Sequence, residues 1–124
     1  MAAVVFALSV ACSKSSPAGH DTPQVTCQKA NDIQRKATAA ESAIASGSAG
    51  AKNAIDELGG AVLGARRAAE SGTPPAIDLA VVANDVDRLG VDFNDKNPAV
   101  STDVNTLKDS LIKLGMDCSN ILTG

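Results

Sequence analysis

The sequence predicts an all-α protein: an up-down four-helix bundle behind a flexible N-terminal tether, stapled by one disulfide. Three observations support this fold class. Apolar residues recur at alternating steps of three and four in four separate segments, which places them on one stripe of a helix. Short breaks rich in Gly, Pro, Ser and Asn separate the segments. No segment shows the sustained period-two alternation that marks a half-buried strand.

The first two helices are predicted from their apolar stripes. The stripe residues are Ile33, Ala37, Ala40 and Ile44 in the first helix, then Ile55, Leu58, Val62, Ala65 and Ala69 in the second. Residues 46–50 separate the two stripes and contain two glycines. Because glycine readily ends a helix, the first helix is expected to stop there.

The third and fourth helices follow the same spacing. Their stripes are Leu79, Val82, Val86, Leu89 and Phe93, then Val100, Val104, Leu107, Leu111 and Leu114. Before the third helix, Gly72 is predicted to cap the preceding helix, with Thr73 as the N-cap and Pro74 as the first helical residue. Residues 94–98 form the next break, and Gly115 is expected to close the fourth helix.

The topology follows from the short connections, which make successive helices antiparallel neighbours. The start of the first helix and the end of the fourth then lie together, and Cys27 and Cys118 fall near those two points. An even pair of cysteines in an exported chain predicts a disulfide. It would close a loop of about 90 residues and contribute at most about 4–5 kcal/mol. The alternatives are two buried free thiols, or a three-helix arrangement that would put the cysteines at opposite ends.

The N-terminal stretch has the features of an export signal. Residues 2–11 carry no charge and are apolar or small; this is shorter than the about 20 residues that span a bilayer, but matches the apolar region of a signal peptide. The residues leading into Cys12 resemble the lipobox of bacterial lipoprotein precursors. In that family the cysteine receives a diacylglyceryl group through its sulfur and becomes the new N-terminus. Val10 and Ala11 fit the pattern, whereas Ser9 stands where the family favours Leu.

The resemblance covers the first dozen residues. It implies a signal peptide over residues 1–11, a lipid on Cys12 and a location in the bacterial cell envelope, facing outside the cytoplasm. Residues 12–22 would be the lipid-anchored flexible tether and residues 23–124 the helical domain, since the polar Ser/Gly/Pro run after Cys12 is typical of a linker. The alternatives are an ordinary signal peptide cleaved near Ala11, or a cytoplasmic N-terminal helix.

The inventory of reactive residues predicts neither an enzyme nor a metal or cofactor site. His20 is the one histidine of the sequence and falls in the expected tether, and there is no CxxC spacing. The net charge is −3, and the basic residues cluster only at Arg66 and Arg67. A nucleic-acid partner is therefore not expected, because such a surface needs clustered cations and usually aromatic platforms.

Residues 85–96 begin like a calcium-binding EF-hand loop. Asp85, Asp87 and Gly90 match its first, third and sixth positions, but Leu89 and Lys96 occupy positions that need oxygen ligands. Since Leu89 also belongs to the third apolar stripe, the acidic residues are interpreted as a solvated helix face.

Gly60 and Gly64 form a small-xxx-small motif in the second helix. The simplest interpretation is a close approach of helix backbones inside the bundle; the alternative is a hinge or a groove for a partner. Arg66 and Arg67 lie three or four residues before Glu70, so an intrahelical ion pair is expected.

These features favour a membrane-anchored helical protein-interaction module of the cell envelope, of which a phage or prophage exclusion lipoprotein is a special case. The alternatives are a carrier that holds a small apolar ligand between its helices and a purely structural envelope component. A large internal cavity would favour the carrier. A solid core with exposed apolar side chains would favour the interaction module.

Overall fold

The computed structural model describes residues 20–123, which form an up-down bundle of four α-helices. The helices are α1 (Pro23–Ala45), α2 (Ala51–Ala68), α3 (Pro74–Asn94) and α4 (Val100–Thr123). Each helix packs against the one before it, and α4 packs back against α1. Between residues 20 and 123 there is no β-strand, only an isolated bridge between Asp21 and Ala69. The predicted fold class is confirmed.

Every helix contributes residues of its predicted stripe to the core, although Ile44, Phe93, Val100 and Val104 are only partly buried against it and Ala69 lies beyond the end of α2. The core is a single apolar cluster. Its members are Cys27, Ala30, Ile33, Ala37, Ala40, Ile55, Leu58, Val62, Ala65, Leu79, Val82, Val86, Leu89, Leu107, Leu111, Leu114 and Cys118. Burying a leucine, isoleucine or valine side chain is worth about 1.5–3 kcal/mol. Because the core has no aromatic residue at its centre, these aliphatic side chains supply most of that energy.

Two residues before α1 are tied to the bundle by hydrogen bonds. The Asp21 amide donates to the Ala68 carbonyl at 2.6 Å, and the Asp21 carbonyl accepts from the Glu70 amide at 3.2 Å. The Thr22 hydroxyl caps α1 by accepting from the Val25 amide at 3.3 Å. Asp21 and Thr22, the last two residues of the predicted tether, are therefore hydrogen-bonded to the bundle, and α1 itself begins at Pro23.

The connection between α2 and α3 differs from the predicted turn chemistry in two ways. Pro74 begins α3 as predicted, and Gly72 has φ +83°, which suits glycine, but Gly72 does not cap α2, because that helix ends at Ala68 with Ala69 as its C-cap. Thr73 stands at the N-cap position, but its hydroxyl donates to the Glu70 carbonyl at 2.7 Å and does not cap α3.

The prediction that Gly115 closes α4 is wrong. The helix continues through Gly115 to Thr123. Cys118 is buried there and Ile121 packs against the core. A glycine inside a helix costs about 1 kcal/mol, which is less than the free energy gained by burying these side chains.

The two cysteines join the ends of α1 and α4. Cys27 and Cys118 form a disulfide with their Cα atoms 5.3 Å apart. Further along the same helix pair, the Gln34 side-chain amide donates to the Leu111 carbonyl at 2.8 Å. The disulfide confirms the predicted pairing and excludes the three-helix arrangement. We call this end of the bundle, where α1 and α3 begin and α2 and α4 finish, the disulfide end.

Candidate functional site

A groove runs along the bundle surface between α2 and α3. It consists of two depressions of about 270 and 290 Å³ that share Gly59, Val86 and Asp87 as lining residues. The other lining residues are Gly60, Leu63, Arg66 and Ala83 towards the disulfide end, and Ile55, Asp56, Gly90, Val91 and Asn94 towards the opposite end. We call this surface the α2–α3 groove.

Glycines leave the α2–α3 groove open. A Cβ atom placed on Gly60 would meet no atom within 4 Å, and the same is true of Gly64. A Cβ atom on Gly59 would lie 3.6 Å from Val86 Cγ1, an ordinary contact. The prediction that Gly60 and Gly64 mark a close backbone approach is therefore wrong. Gly60 lines the groove, whereas Gly64 does not.

The edges of the groove carry apolar and charged side chains. Leu63 on α2 is 41% exposed and Val91 on α3 is 59% exposed. Arg66 lies towards the disulfide end, while Asp56 and Asp87 lie further along. A concave surface with exposed apolar edges and separated charges is suited to an amphipathic helix, which binds through spaced apolar anchors.

The contact surface between α3 and α4 carries three polar pairs that the sequence analysis missed. Asp78 faces Asp117, Asp85 faces Ser110 and Asp92 faces Asp103. On each helix, the three residues that form these pairs are seven positions apart. Their numbers rise along α3 while those of their partners fall along α4, as an antiparallel helix pair requires. This spacing of seven is visible in the sequence and could have revealed the pairs. We call this surface the α3–α4 seam.

Burial makes the carboxyl groups of the α3–α4 seam unusual. Asp78 is only 4% exposed and Asp103 only 6%, and Oδ2 of each has no hydrogen-bond partner among the described residues. Burial raises the pKa of Asp78 to about 6; its hydrogen bond to Asp117 and the negative charge of that residue add to the effect. Lys113, whose Nζ lies 3.6 Å from Asp78 Oδ1, opposes the rise.

The two carboxyl groups of the Asp78–Asp117 pair have pKa values shifted in opposite directions. The pKa of Asp117 is lowered, first by its hydrogen bond with Asp78 and then by that with Lys113 at 3.0 Å. Asp78 is therefore the member of this pair that holds a proton in mildly acidic solution, and it loses that proton as the pH rises through about 6. At the other end of the seam, the hydrogen bond to Asp92 and then burial raise the pKa of Asp103.

Residues 85–94 are helical and do not form a calcium-binding loop. Asp87 is exposed as predicted, but Asp85 is buried beneath α4, where it accepts a hydrogen bond from Ser110 across the α3–α4 seam. The prediction of a solvated acidic face is therefore wrong for Asp85. Within residues 20–123, no group of three or more His, Cys, Asp or Glu side chains could hold a metal ion.

The expected ion pair of Glu70 with Arg66 or Arg67 is absent from the described part of the chain. The helix α2 ends at Ala68 and the next residue is extended, with ψ 145°. Glu70 therefore leaves the helical path that would have placed its carboxylate beside an arginine. Both arginines remain exposed, and they line a depression of about 390 Å³ together with His20.

The predicted lipid-attachment residue, Cys12, and the apolar residues 2–11 lie outside the described residues. No helix within residues 20–123 combines the length and the apolar character needed to cross a membrane. No family model, curated protein or solved structure matches the chain. Any function assigned to the chain must therefore be argued from its own residues and geometry.

Proposed function

We propose that this protein is a small bacterial cell-envelope lipoprotein, anchored to a membrane through a lipid on Cys12, whose helical bundle binds another protein without catalysing a reaction. The observation that supports binding is the α2–α3 groove. Gly60 lines it without a side chain, and Leu63 and Val91 expose apolar surface at its edges. Apolar side chains beside a concave surface favour a binding role.

The groove favours a helical segment as the partner. An apolar stripe on that segment would cover Leu63 and Val91. A basic residue would lie near Asp87, which is exposed, and an acidic residue near Arg66. This charge order sets the direction in which the segment lies along the groove.

The filled interior favours this function over a carrier of apolar ligands. Leu58, Leu79 and Leu107 are all fully buried within one continuous cluster. A carrier would have to separate helices that bury these side chains, and the free energy of apolar burial opposes that separation.

The anchor is tested by labelling with radioactive palmitate in a bacterial host. The wild-type chain should be labelled and sediment with membranes, whereas Cys12→Ser should not. The double variant Cys27→Ser with Cys118→Ser is the matched control, because it removes two cysteines and leaves Cys12. A Cys12→Ser chain that stays equally labelled and membrane-bound would contradict the anchor.

The groove is tested by two leucine substitutions on the same helix. Gly60→Leu places a side chain in the groove, whereas Gly64→Leu places an equal side chain where no groove residue lies. A photo-crosslinking residue at position 91 should trap a protein of defined mass in intact cells. Gly60→Leu should abolish this product and Gly64→Leu should preserve it. Equal loss or equal retention in the two variants would contradict the groove as the binding surface.

A further inference from the structure

A small surface depression lies between α3 and α4, outside the α2–α3 groove. It has a volume of about 250 Å³ and is lined by Ile77, Asp78, Val81, Asp109, Ser110 and Lys113. Its apolar wall consists of Ile77 and Val81, whose side chains are 57% and 48% exposed. Sites for drug-sized ligands measure about 300–1,000 Å³, so this depression suits a smaller molecule. We call it the Asp78 depression.

The buried carboxyl group of Asp78 has one oxygen atom without a donor. Asp78 Oδ1 lies 3.6 Å from the Nζ atom of Lys113. Since Lys113 lines the same depression, the carboxyl group is turned towards it. Asp78 Oδ2 has no hydrogen-bond partner among residues 20–123. A buried carboxylate oxygen without a donor is unfavourable, so a donor that enters the depression would be stabilised there.

Negative charge exceeds positive charge around the Asp78 depression. Asp109 lines it and is exposed, and Asp117 adjoins it through Lys113, whose Nζ lies 3.0 Å from Asp117 Oδ2. Lys113 is the one cation among the described lining residues. When all the carboxyl groups are ionised, three carboxylates therefore stand against a single ammonium group. That group is shared between Asp78 Oδ1 and Asp117, and it leaves Asp78 Oδ2 without a donor.

The lining favours an organic ammonium ion over a metal ion. A calcium ion takes six to eight oxygen ligands, and within residues 20–123 no group of three or more His, Cys, Asp or Glu side chains could hold a metal. An alkylammonium ion has three N–H donors for carboxylates and a hydrocarbon chain that gains free energy on apolar surface. The side chain of Lys113 is an ion of this kind, and it already pairs with two of the carboxylates.

We propose that the Asp78 depression binds a small alkylammonium ion. The ammonium group donates to the Asp78 carboxylate and is attracted by the Asp109 carboxylate. The hydrocarbon chain covers Ile77 and Val81. The site lies between α3 and α4, whereas the α2–α3 groove lies on the other side of α3. The inference therefore goes beyond the proposed function and depends neither on the groove nor on the lipid.

Binding requires the ionised form of Asp78 and should therefore depend on pH. Burial raises the pKa of Asp78 to about 6, Asp117 adds to the rise and Lys113 opposes it. The charged groups that shift this pKa all lie on α4, as does Asp109 on the far wall of the depression. Asp78 is thus ionised at pH 7.5 and mostly protonated at pH 5, where the affinity should be about tenfold lower.

Methyl NMR of the isoleucine residues tests the site. The full chain, purified from the envelope in a zwitterionic detergent, is titrated with hexylammonium chloride at pH 7.5. The methyl signal of Ile77 should shift and reach saturation. The signal of Ile112 is the internal control and should not, since that side chain is similarly exposed at 60% but lies outside the depression. Hexanol, which has the same hydrocarbon chain without the charge, should cause no saturable shift.

Asp78→Asn should weaken hexylammonium binding about tenfold or more, because the charged acceptor is lost. Asp87→Asn is the matched control on the α2 side of the same helix and should bind as the wild type does. The signal of the buried Ile33 reports that each variant is folded. The proposal would be overturned by an Ile77 signal that does not saturate, by equal shifts at Ile112, by equal binding of hexanol, or by wild-type affinity in Asp78→Asn.

Discussion

The Ser110 hydroxyl of α4 donates a hydrogen bond to the buried Asp85 carboxylate of α3, midway between two carboxyl pairs of the α3–α4 seam. A slip of α4 along α3 would leave this carboxylate buried without its donor. An unsatisfied buried polar group costs about 1–3 kcal/mol, and more when it is charged. The contact therefore favours a single alignment of the two helices, which the apolar stripes alone specify less strictly.

Removing the donor should destabilise the bundle. Ser110→Ala leaves Asp85 without its hydrogen bond, so the free energy of unfolding should fall by about 1–3 kcal/mol. Urea unfolding followed by circular dichroism measures the change. Ser119→Ala, at an exposed position of the same helix, is the control and should change stability by less than about 0.5 kcal/mol. Equal effects in the two variants would show that the hydrogen bond contributes nothing.

The raised pKa of Asp78 should make stability fall as pH rises. The folded state holds this proton with a pKa of about 6, against an ordinary value of 3.8. The stabilisation is therefore fully present below about pH 4 and is lost as the pH rises through about 6. Its upper limit is about 3 kcal/mol, which the lowered pKa of Asp117 partly offsets.

Asp78→Asn tests this pH dependence, because asparagine keeps the shape without titrating. Relative to wild type, the variant should become more stable between pH 4 and pH 7. Asp109→Asn is the control, since Asp109 and Asp78 line the same surface depression but the Asp109 side chain is exposed. Parallel stability curves for wild type and Asp78→Asn would show that the carboxyl is not protonated in the folded protein.

Breaking the disulfide should lower stability without abolishing the fold. The bond closes a loop across 91 positions of sequence, and such bonds typically contribute about 2–4 kcal/mol. Reductant and the double variant Cys27→Ser with Cys118→Ser should produce the same fall in the melting temperature. Helical circular dichroism should persist at room temperature because four apolar stripes stay buried. Two free thiols in freshly purified exported protein would contradict the bond.

Alanine at the open glycines should stabilise the bundle. Gly60→Ala and Gly64→Ala each add a methyl group where no atom lies within 4 Å, and each removes the about 1 kcal/mol penalty of a helical glycine. Both variants should therefore unfold at higher urea concentrations. Gly72→Ala should have the opposite effect, because φ +83° strains any residue with a side chain. A loss of stability at position 60 would indicate a close backbone contact.

The helix count, the stripe residues and the cysteine pairing could be predicted from the sequence because they depend on the spacing of residues along the chain. Steps of three and four place Leu79, Val82 and Val86 on one face whatever the helix packs against, and residues such as Gly72 and Pro74 interrupt the chain where they stand. Short connections then leave an antiparallel order, which brings Cys27 to Cys118.

The roles of Asp85, Gly60 and Glu70 were decided only by the tertiary structure. Asp85 is buried because α4 covers that side of α3 and Ser110 lies opposite. Gly60 lines a groove and does not mark a close helix contact, because no atom lies within 4 Å of the place that its Cβ would take. Glu70 misses the arginines because the chain leaves α2 after Ala68 to run beside Asp21. Each outcome depends on which segment covers a given face, and local spacing carries no information about that neighbour.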